Sequence, residues 1–322
     1  MLDFDDFRVL YQIILRYGIA KGICVVSKSR CRVNITRDRA VNAISYPVQK
    51  MTAIFGVWGD SMKWIEVNGV SLRYELSGQG SETLVLIHEL GGALESWDDV
   101  LPELQKQFRV LRYDQRGFGL SEKAKGTLAL DTMADDLAAL LDGLGISAPC
   151  HVTGLALGAA IALGFAARFP ARVSKLAISS PATGVSKDRC AQVLERADAV
   201  ERDGMRAQVQ SSLDRSYPEV LRGNRERYEL YRLRWLANDP SGFAAINRML
   251  ADMDMTGDYG KITCPTLVIS ARHDLLRPPA MIEPIARAIP GARYVETESG
   301  HFMAVQTPEL WLETVLPFLT EA

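Results

Sequence analysis

From residue 62 onward the chain alternates between two hydrophobic rhythms. Short runs with a two-residue or continuously apolar pattern read as strands. They are Lys63 to Val67, Ser71 to Leu76, Thr83 to Ile87, Arg109 to Tyr113, Cys150 to Thr153, Val173 to Ser179, Pro265 to Ser270 and Arg293 to Glu296. Longer runs with helical spacing lie between them: Ser96 to Gln107, Asp131 to Leu144, Ala156 to Phe169, Pro279 to Ile289 and Pro308 to Leu319. Asp131 is the expected cap of the second of these helices. Asn68-Gly69, between the first two strands, is the strongest short hairpin signal. Thr83 to Ile87 is apolar almost throughout, as expected of a strand buried on both faces. Strands and helices alternating over short links predict an α/β protein with a mostly parallel, doubly wound sheet.

Two stretches depart from this rhythm. Residues 185–258 are helical in pattern throughout and rich in Arg and Glu, with Pro218 and Pro240 marking helix starts. They predict a helical cap laid over the carboxyl ends of the strands, where open α/β sheets bind ligands. Residues 1–61 carry no functional motif. Val9 to Ala20 is apolar but broken by Arg16 and Gly18, and Ser27 to Arg39 is basic and polar. The favoured reading is an N-terminal extension of doubtful structure arising from a misassigned start, with a helical arm as the alternative. The expected organisation is extension 1–61, core 62–184 and 259–322, and cap 185–258.

One stretch organises the rest. Cys150 to Thr153 leads into Gly154-Leu155-Ala156-Leu157-Gly158, and a small-residue helical run leads out. This is the strand, turn and helix of a nucleophile elbow, whose pattern is Gly-x-Ser-x-Gly. The flanking residues must be small because strand and helix approach closely and the central residue is strained. Here that central residue is Ala156. Two further loops follow strands, one carrying His273-Asp274 and one carrying Gly300-His301-Phe302.

The order nucleophile position, acid, histidine is that of the α/β hydrolases. From Met62 to the C-terminus the chain resembles the α/β-hydrolase fold superfamily, and within it the 3-oxoadipate enol-lactone hydrolases and their relatives. The residues that carry the resemblance are His88-x-x-Gly91-Gly92, Trp97, Arg112-Tyr113-Asp114-x-Arg116-Gly117-x-Gly119-x-Ser121, Gly154-x-x-x-Gly158, Asp274 and Gly300-His301-Phe302. The resemblance implies that Asp274 orients His301 as general base and that backbone N–H groups of Leu90 and Leu157 receive an oxyanion. It implies no metal and no cofactor. It also places Glu89 where the family usually has Gly. A carboxylate is unfavourable beside a developing oxyanion, so Glu89 points to solvent, is neutral, or serves the reaction.

Ala156 excludes an acyl-enzyme at that position, since a methyl group cannot attack. Three accounts compete: a serine hydrolase with its nucleophile exchanged, a degenerate member that only binds ligand, or an enzyme with altered chemistry. Glu89, a second departure in the same pocket, favours the third over the first, and retention of Asp274 and His301 argues against the second. The expected function is an enzyme acting on a small enol-lactone, ester or related carboxylated metabolite through a His-Asp base. His88, Trp97, Arg232 and Arg248 are the candidate substrate contacts. Met249, Met253, Met255, Trp235 and Phe243 are candidates for an apolar pocket wall.

Composition narrows the partners rather than the chemistry. At 322 residues and 48% hydrophobic, with net charge −2, the chain carries no bulk charge that points to nucleic acid or a membrane surface. No uninterrupted apolar run reaches the roughly 18 residues of a membrane span. Cys24, Cys31, Cys150, Cys190 and Cys264 show no metal or disulfide spacing, which predicts reduced thiols and a cytoplasmic protein. A small-molecule substrate is the expected partner; the pattern leaves the oligomeric state open.

Overall fold

The computed structural model describes strands β1 (Ile23–Ser27), β2 (Arg30–Arg37) and β3 (Ala40–Pro47), and residues 62–321. The chain divides into two compact units, Met1–Asp60 and Ser61–Ala322. In the first, β1, β2 and β3 form an antiparallel sheet in that order. The helical arm therefore does not hold over these residues. The overlooked signal is the strict polar/apolar alternation of Arg30-Cys31-Arg32-Val33-Asn34-Ile35, a strand period. The apolar stretch Val9 to Ala20 lies outside the described residues.

In the second unit, eight strands form one sheet. They are β4 (Met62–Val67), β5 (Val70–Ser77), β6 (Thr83–Ile87), β7 (Arg109–Tyr113), β8 (Cys150–Leu155), β9 (Val173–Ser179), β10 (Thr266–Ala271) and β11 (Arg293–Thr297). The order is β11-β10-β9-β8-β6-β7-β5-β4. The β4–β5 and β5–β7 pairs are antiparallel and every other pair is parallel. Asn68 and Gly69 both take positive φ, 48° and 67°, the turn that matches the twist of a two-residue hairpin.

Strand β6 shows why the central strands are apolar on every residue. Val85 and Ile87 enter one core with Leu137 and Ile161, while Leu84 and Leu86 enter the other with Trp97 and Trp311. Alternate side chains thus serve opposite faces, and both faces are covered by helices. The helices of this unit are α1 (Leu101–Leu104), α2 (Leu130–Gly143), α3 (Leu157–Arg168), α4 (Lys187–Asp203), α5 (Val209–Ser216), α6 (Arg225–Leu236), α7 (Pro240–Asp252), α8 (Pro279–Ala288), α9 (Met303–Gln306) and α10 (Pro308–Thr320).

Two local expectations are corrected. The single helix over Ser96 to Gln107 is instead a 3-10 turn, Leu94–Trp97, followed by α1 with Pro102 in its first turn. Asp131 is not the cap of α2, which starts one residue earlier behind Ala129. Asp131 sits in the first turn and pairs with Arg168 on α3 at 3.0 Å.

The chain order reverses between β6 and β8, because β7 lies on the far side of β6. Ile87 at the end of β6 pairs with Gly154 near the end of β8. The loops leaving these two strands therefore diverge from a common point, where open α/β sheets place ligands. Helices α4 to α7 form the insertion between β9 and β10. Helix α6 is fastened to the core by Arg234 and Arg227: Arg234 donates to Glu95 O at 3.0 Å and pairs with Asp98, and Arg227 pairs with Asp99 at 2.9 Å. Just beyond α6, Asn238 donates to Gly91 O at 2.8 Å.

Candidate active site

The elbow has the strain that its sequence pattern demands. Ala156 lies at φ 50°, ψ −105°, between the end of β8 and the first turn of α3. A non-glycine residue in such a conformation costs on the order of 1–3 kcal/mol and is kept only where surrounding structure enforces it. The enforcement is visible. Ala156 N–H donates to Ser179 O at 2.9 Å, and Ala156 O accepts from Ala160 and Ala182 N–H at 3.2 and 3.0 Å. A Cβ on Gly154 would stand 2.6 Å from Ala159 N, and one on Gly158 would stand 2.5 Å from His88 O. Both glycines are thus required by the contact of α3 with the ends of β6 and β8.

Asp274 follows β10 and His301 follows β11. The two loops are tied together by Arg272 N–H to Thr297 O and His273 N–H to Ser299 O, each 2.9 Å. His301 Nδ1 lies 2.7 Å from Asp274 Oδ2, with both side chains buried. The other carboxylate oxygen, Oδ1, accepts from the backbone N–H groups of Leu276 and Arg277 at 2.8 and 2.9 Å. Burial opposes ionisation of Asp274, but the His301 ring and the hydrogen bonds outweigh it and hold the carboxyl below its ordinary range. A carboxylate on Nδ1 leaves Nε2 as the basic nitrogen of a neutral His301. Gln306 fixes the next residue, accepting from Phe302 N–H and donating to Ser216 O, each at 2.8 Å.

Ala156 and His301 line one cavity of about 600 Å³, together with Leu90, Leu157, Trp235 and Phe243. This is the volume range of small-molecule sites. Leu157 is the first residue of α3, where backbone N–H groups have no intrahelical acceptor. Leu90 stands on the loop after β6. That loop is shaped by His88, which is fully buried: its Nδ1 lies 2.8 Å from Glu89 O and its Nε2 accepts from Gln115 N–H at 3.0 Å. Both ring nitrogens are therefore committed to backbone. His88 positions the loop and is not a substrate contact.

Of the three alternatives for Glu89, the structure excludes one. Glu89 is fully buried, so it does not point to solvent, and it is not among the residues lining the cavity. Its Oε1 accepts from Ser96 Oγ at 2.8 Å, and a Cβ on Gly92 would fall 2.5 Å from its carboxyl carbon. The side chain packs behind the loop that carries Leu90. Burial, followed by the Glu89 charge, holds the Tyr231 phenol well above its ordinary range. Gly92 is needed here because Glu89 occupies the space that a side chain would take.

The other expected substrate contacts are corrected. Trp97 is fully buried and stacks edge-on against Trp311 at 5.5 Å, inside the core. Arg232 pairs with Glu229 at 2.9 Å, and Arg248 pairs with Asp198 and Glu201 at 2.7 and 2.5 Å. Neither arginine lines the cavity. Of the expected apolar wall, Trp235 and Phe243 are present and Met249, Met253 and Met255 are not. The arginines that do line it are Arg189, Arg196, Arg215 and Arg277, which the sequence reading did not single out. A signal existed, since Arg189, Gln192, Arg196 and Ala199 recur at helical spacing on α4 and share one face.

The loop Asp114 to Ser121 is held by its own hydrogen bonds and an ion pair. Asp114 accepts from Leu94 and Leu120 N–H at 2.8 and 2.7 Å and pairs with Arg73 at 3.1 Å. His273 pairs with Glu298 at the surface, 3.2 Å away. Among the described residues no group of three or more His, Cys, Asp or Glu could hold a metal ion, and no helix is long and apolar enough to cross a membrane.

The α/β hydrolase fold family matches residues 82–224. RutD of Pantoea ananatis, named a putative carbamate hydrolase, is 32% identical over 258 residues, 77% of this chain and 93% of that relative. The 3-oxoadipate enol-lactonase 1 of Acinetobacter baylyi is 24% identical over 253 residues, 78% of this chain and 94% of that enzyme. The solved enol-lactonase from Burkholderia xenovorans superposes with a TM-score of 0.75 and 31% identity, covering 80% of this chain and 100% of that one. Sequence match, strand order and elbow geometry agree, and the chain belongs to the α/β-hydrolase fold family.

Proposed function

We propose that this chain is an enzyme in which the His301–Asp274 pair acts as general base without a side-chain nucleophile. The observation that carries the reading is the 2.7 Å His301–Asp274 contact, buried and facing the same cavity as Ala156. A site that only bound ligand would have no use for an oriented imidazole. The substrate class is a small enol-lactone, ester or related carboxylated metabolite, by similarity to the relatives above. The helical insertion serves as the cap that encloses it, and the chemistry needs no cofactor.

In the hydrolytic form, His301 Nε2 takes a proton from water as its oxygen adds to the carbonyl carbon. The resulting oxyanion is received by the N–H groups of Leu90 and Leu157. Collapse of the adduct expels the enolate or alkoxide, which takes the proton back from His301. Asp274 keeps Nδ1 protonated and offsets the charge of the imidazolium. With an acidic C–H in place of a carbonyl electrophile, the same base would remove a proton from carbon.

The test compares the native chain, Ala156→Ser and His301→Ala on a panel of enol-lactones and aryl esters. The native chain is expected to turn over a panel member, and His301→Ala to lose at least about 100-fold. Silence of the native chain with strong activity in Ala156→Ser would refute the reading and make the chain a serine hydrolase lacking its nucleophile. Ligand binding with no turnover by any of the three would make it a binding protein.

A further inference from the structure

Four arginines line the cavity, three from the helical insertion and Arg277 from the loop after β10, and none of them is bound to a carboxylate among the described residues, unlike five arginines elsewhere in the insertion. Arg222, Arg227, Arg232, Arg234 and Arg248 each form ion pairs with Asp or Glu. Arg189, Arg196, Arg215 and Arg277 form none among the described residues. Arg196 donates to Ser212 Oγ and stacks 5.7 Å from the Phe243 ring, and its buried Nε has no acceptor. Arg215 donates to Ser211 O at 3.2 Å. The cavity wall holds these four guanidinium groups against one carboxylate, the exposed Glu195.

The four charges are close enough to oppose one another. Burial, and after it the Arg215 charge, brings the Arg196 guanidinium down to about 10. Burial and Arg189 lower Arg215. Burial lowers Arg277 too, against the pull of Asp274, and Arg189 adds to it. All four cations line the one cavity, and the charge of Arg215 is felt by Arg196 and that of Arg189 by Arg215 and Arg277. Unpaired, partly desolvated cations that repel one another are unfavourable unless an anion completes them. One carboxylate engages one guanidinium fork, so four forks exceed what a monoanion uses.

We propose that the substrate of this site carries at least two units of negative charge as oxyanions, held by Arg189, Arg196, Arg215 and Arg277. Two carboxylates or one phosphate monoester would supply that charge. The inference rests on the proposed use of the cavity as a substrate site, but it is tested by binding rather than turnover.

The experiment is calorimetric titration of the native chain with adipate, glycerol 3-phosphate and hexanoate. At least one dianion is expected to bind tenfold or more tightly than hexanoate. Tighter adipate assigns two carboxylates, and tighter glycerol 3-phosphate assigns a phosphate; either supports the inference. Arg196→Gln and Arg215→Gln are each expected to erase the preference, and Arg232→Gln to leave it unchanged. Hexanoate binding as tightly as both dianions, no dianion binding, or a preference that survives both substitutions would overturn it. Dianion binding with no turnover anywhere would leave this inference standing and sink the catalytic reading. Turnover of neutral esters with no dianion preference would do the reverse.

Discussion

Gly158→Ala tests the elbow with a sign that depends on the structure. Gly158 lies in the first turn of α3 and does not have positive φ. Helix propensity alone would make alanine stabilising by about 1 kcal/mol. The tertiary contact opposes this. The added Cβ would stand 2.5 Å from His88 O and 2.6 Å from Ile87 C, where ordinary contact begins near 3.4 Å. The obstacle is backbone at the end of β6, with Ile87 O the nearest atom, so relief requires α3 and the sheet to part. Overpacking of this kind costs roughly 1–3 kcal/mol and more where backbone cannot yield. Net of propensity, the variant should lose about 2 kcal/mol, which lowers the melting temperature by about 4 to 8 °C in a domain of this size. Gly223→Ala is the control, since nothing lies within 4 Å of its added Cβ and its φ is not positive. Thermal melts of the three proteins by circular dichroism decide the matter. A Gly158→Ala melt equal to or above native would refute the packing of α3 against β6 and β8.

Three further outcomes are expected. Asp274→Asn presents an amide N–H₂ to His301 Nδ1, forces the other tautomer, and should cut turnover by about 10⁴ while leaving ligand binding within a few-fold; steady-state kinetics beside calorimetry measure both. Because the folded state holds the Asp274 carboxyl below its ordinary value, its ionisation stabilises the fold above the unfolded pKa of about 3.9, and that contribution is lost as pH falls further. The stability difference between native and Asp274→Asn should therefore shrink on acidification, as melts from pH 7 to pH 3 would show. Burial pushes the Cys150 thiol up to about 11, so iodoacetamide at pH 8 should leave the Cys150 peptide unmodified in the native protein, with peptide mass spectrometry as the readout.

The parts of this molecule that local chemistry dictates were legible in its sequence. Asn68-Gly69 names its own turn, Thr83 to Ile87 announces burial on both faces, and Gly154 and Gly158 mark a close approach that the backbone confirms. Asp274 and His301 were found because each sits in a loop that follows a strand, in the chain order of the family the sequence resembles. What escaped was direction. Helices α4 and α6 are both rich in arginine, and charge on several faces hides which face meets a cavity. Arg232 and Arg248 were singled out and proved to be ion-paired, while Arg189 and Arg196 face the site. Trp97 and Glu89 escaped for a related reason. Both sit at the right sequence distance from the oxyanion loop, but Trp97 turns into the core beside Trp311 and Glu89 turns toward Ser96.

The central claim is that His301 activates its target directly, with no covalent intermediate at position 156. Intact-protein mass spectrometry during steady-state turnover of an enol-lactone addresses it most directly. The account predicts product formation that depends on His301, with the protein mass unchanged throughout. An acyl increment on the native chain, or turnover that persists in His301→Ala, would contradict it.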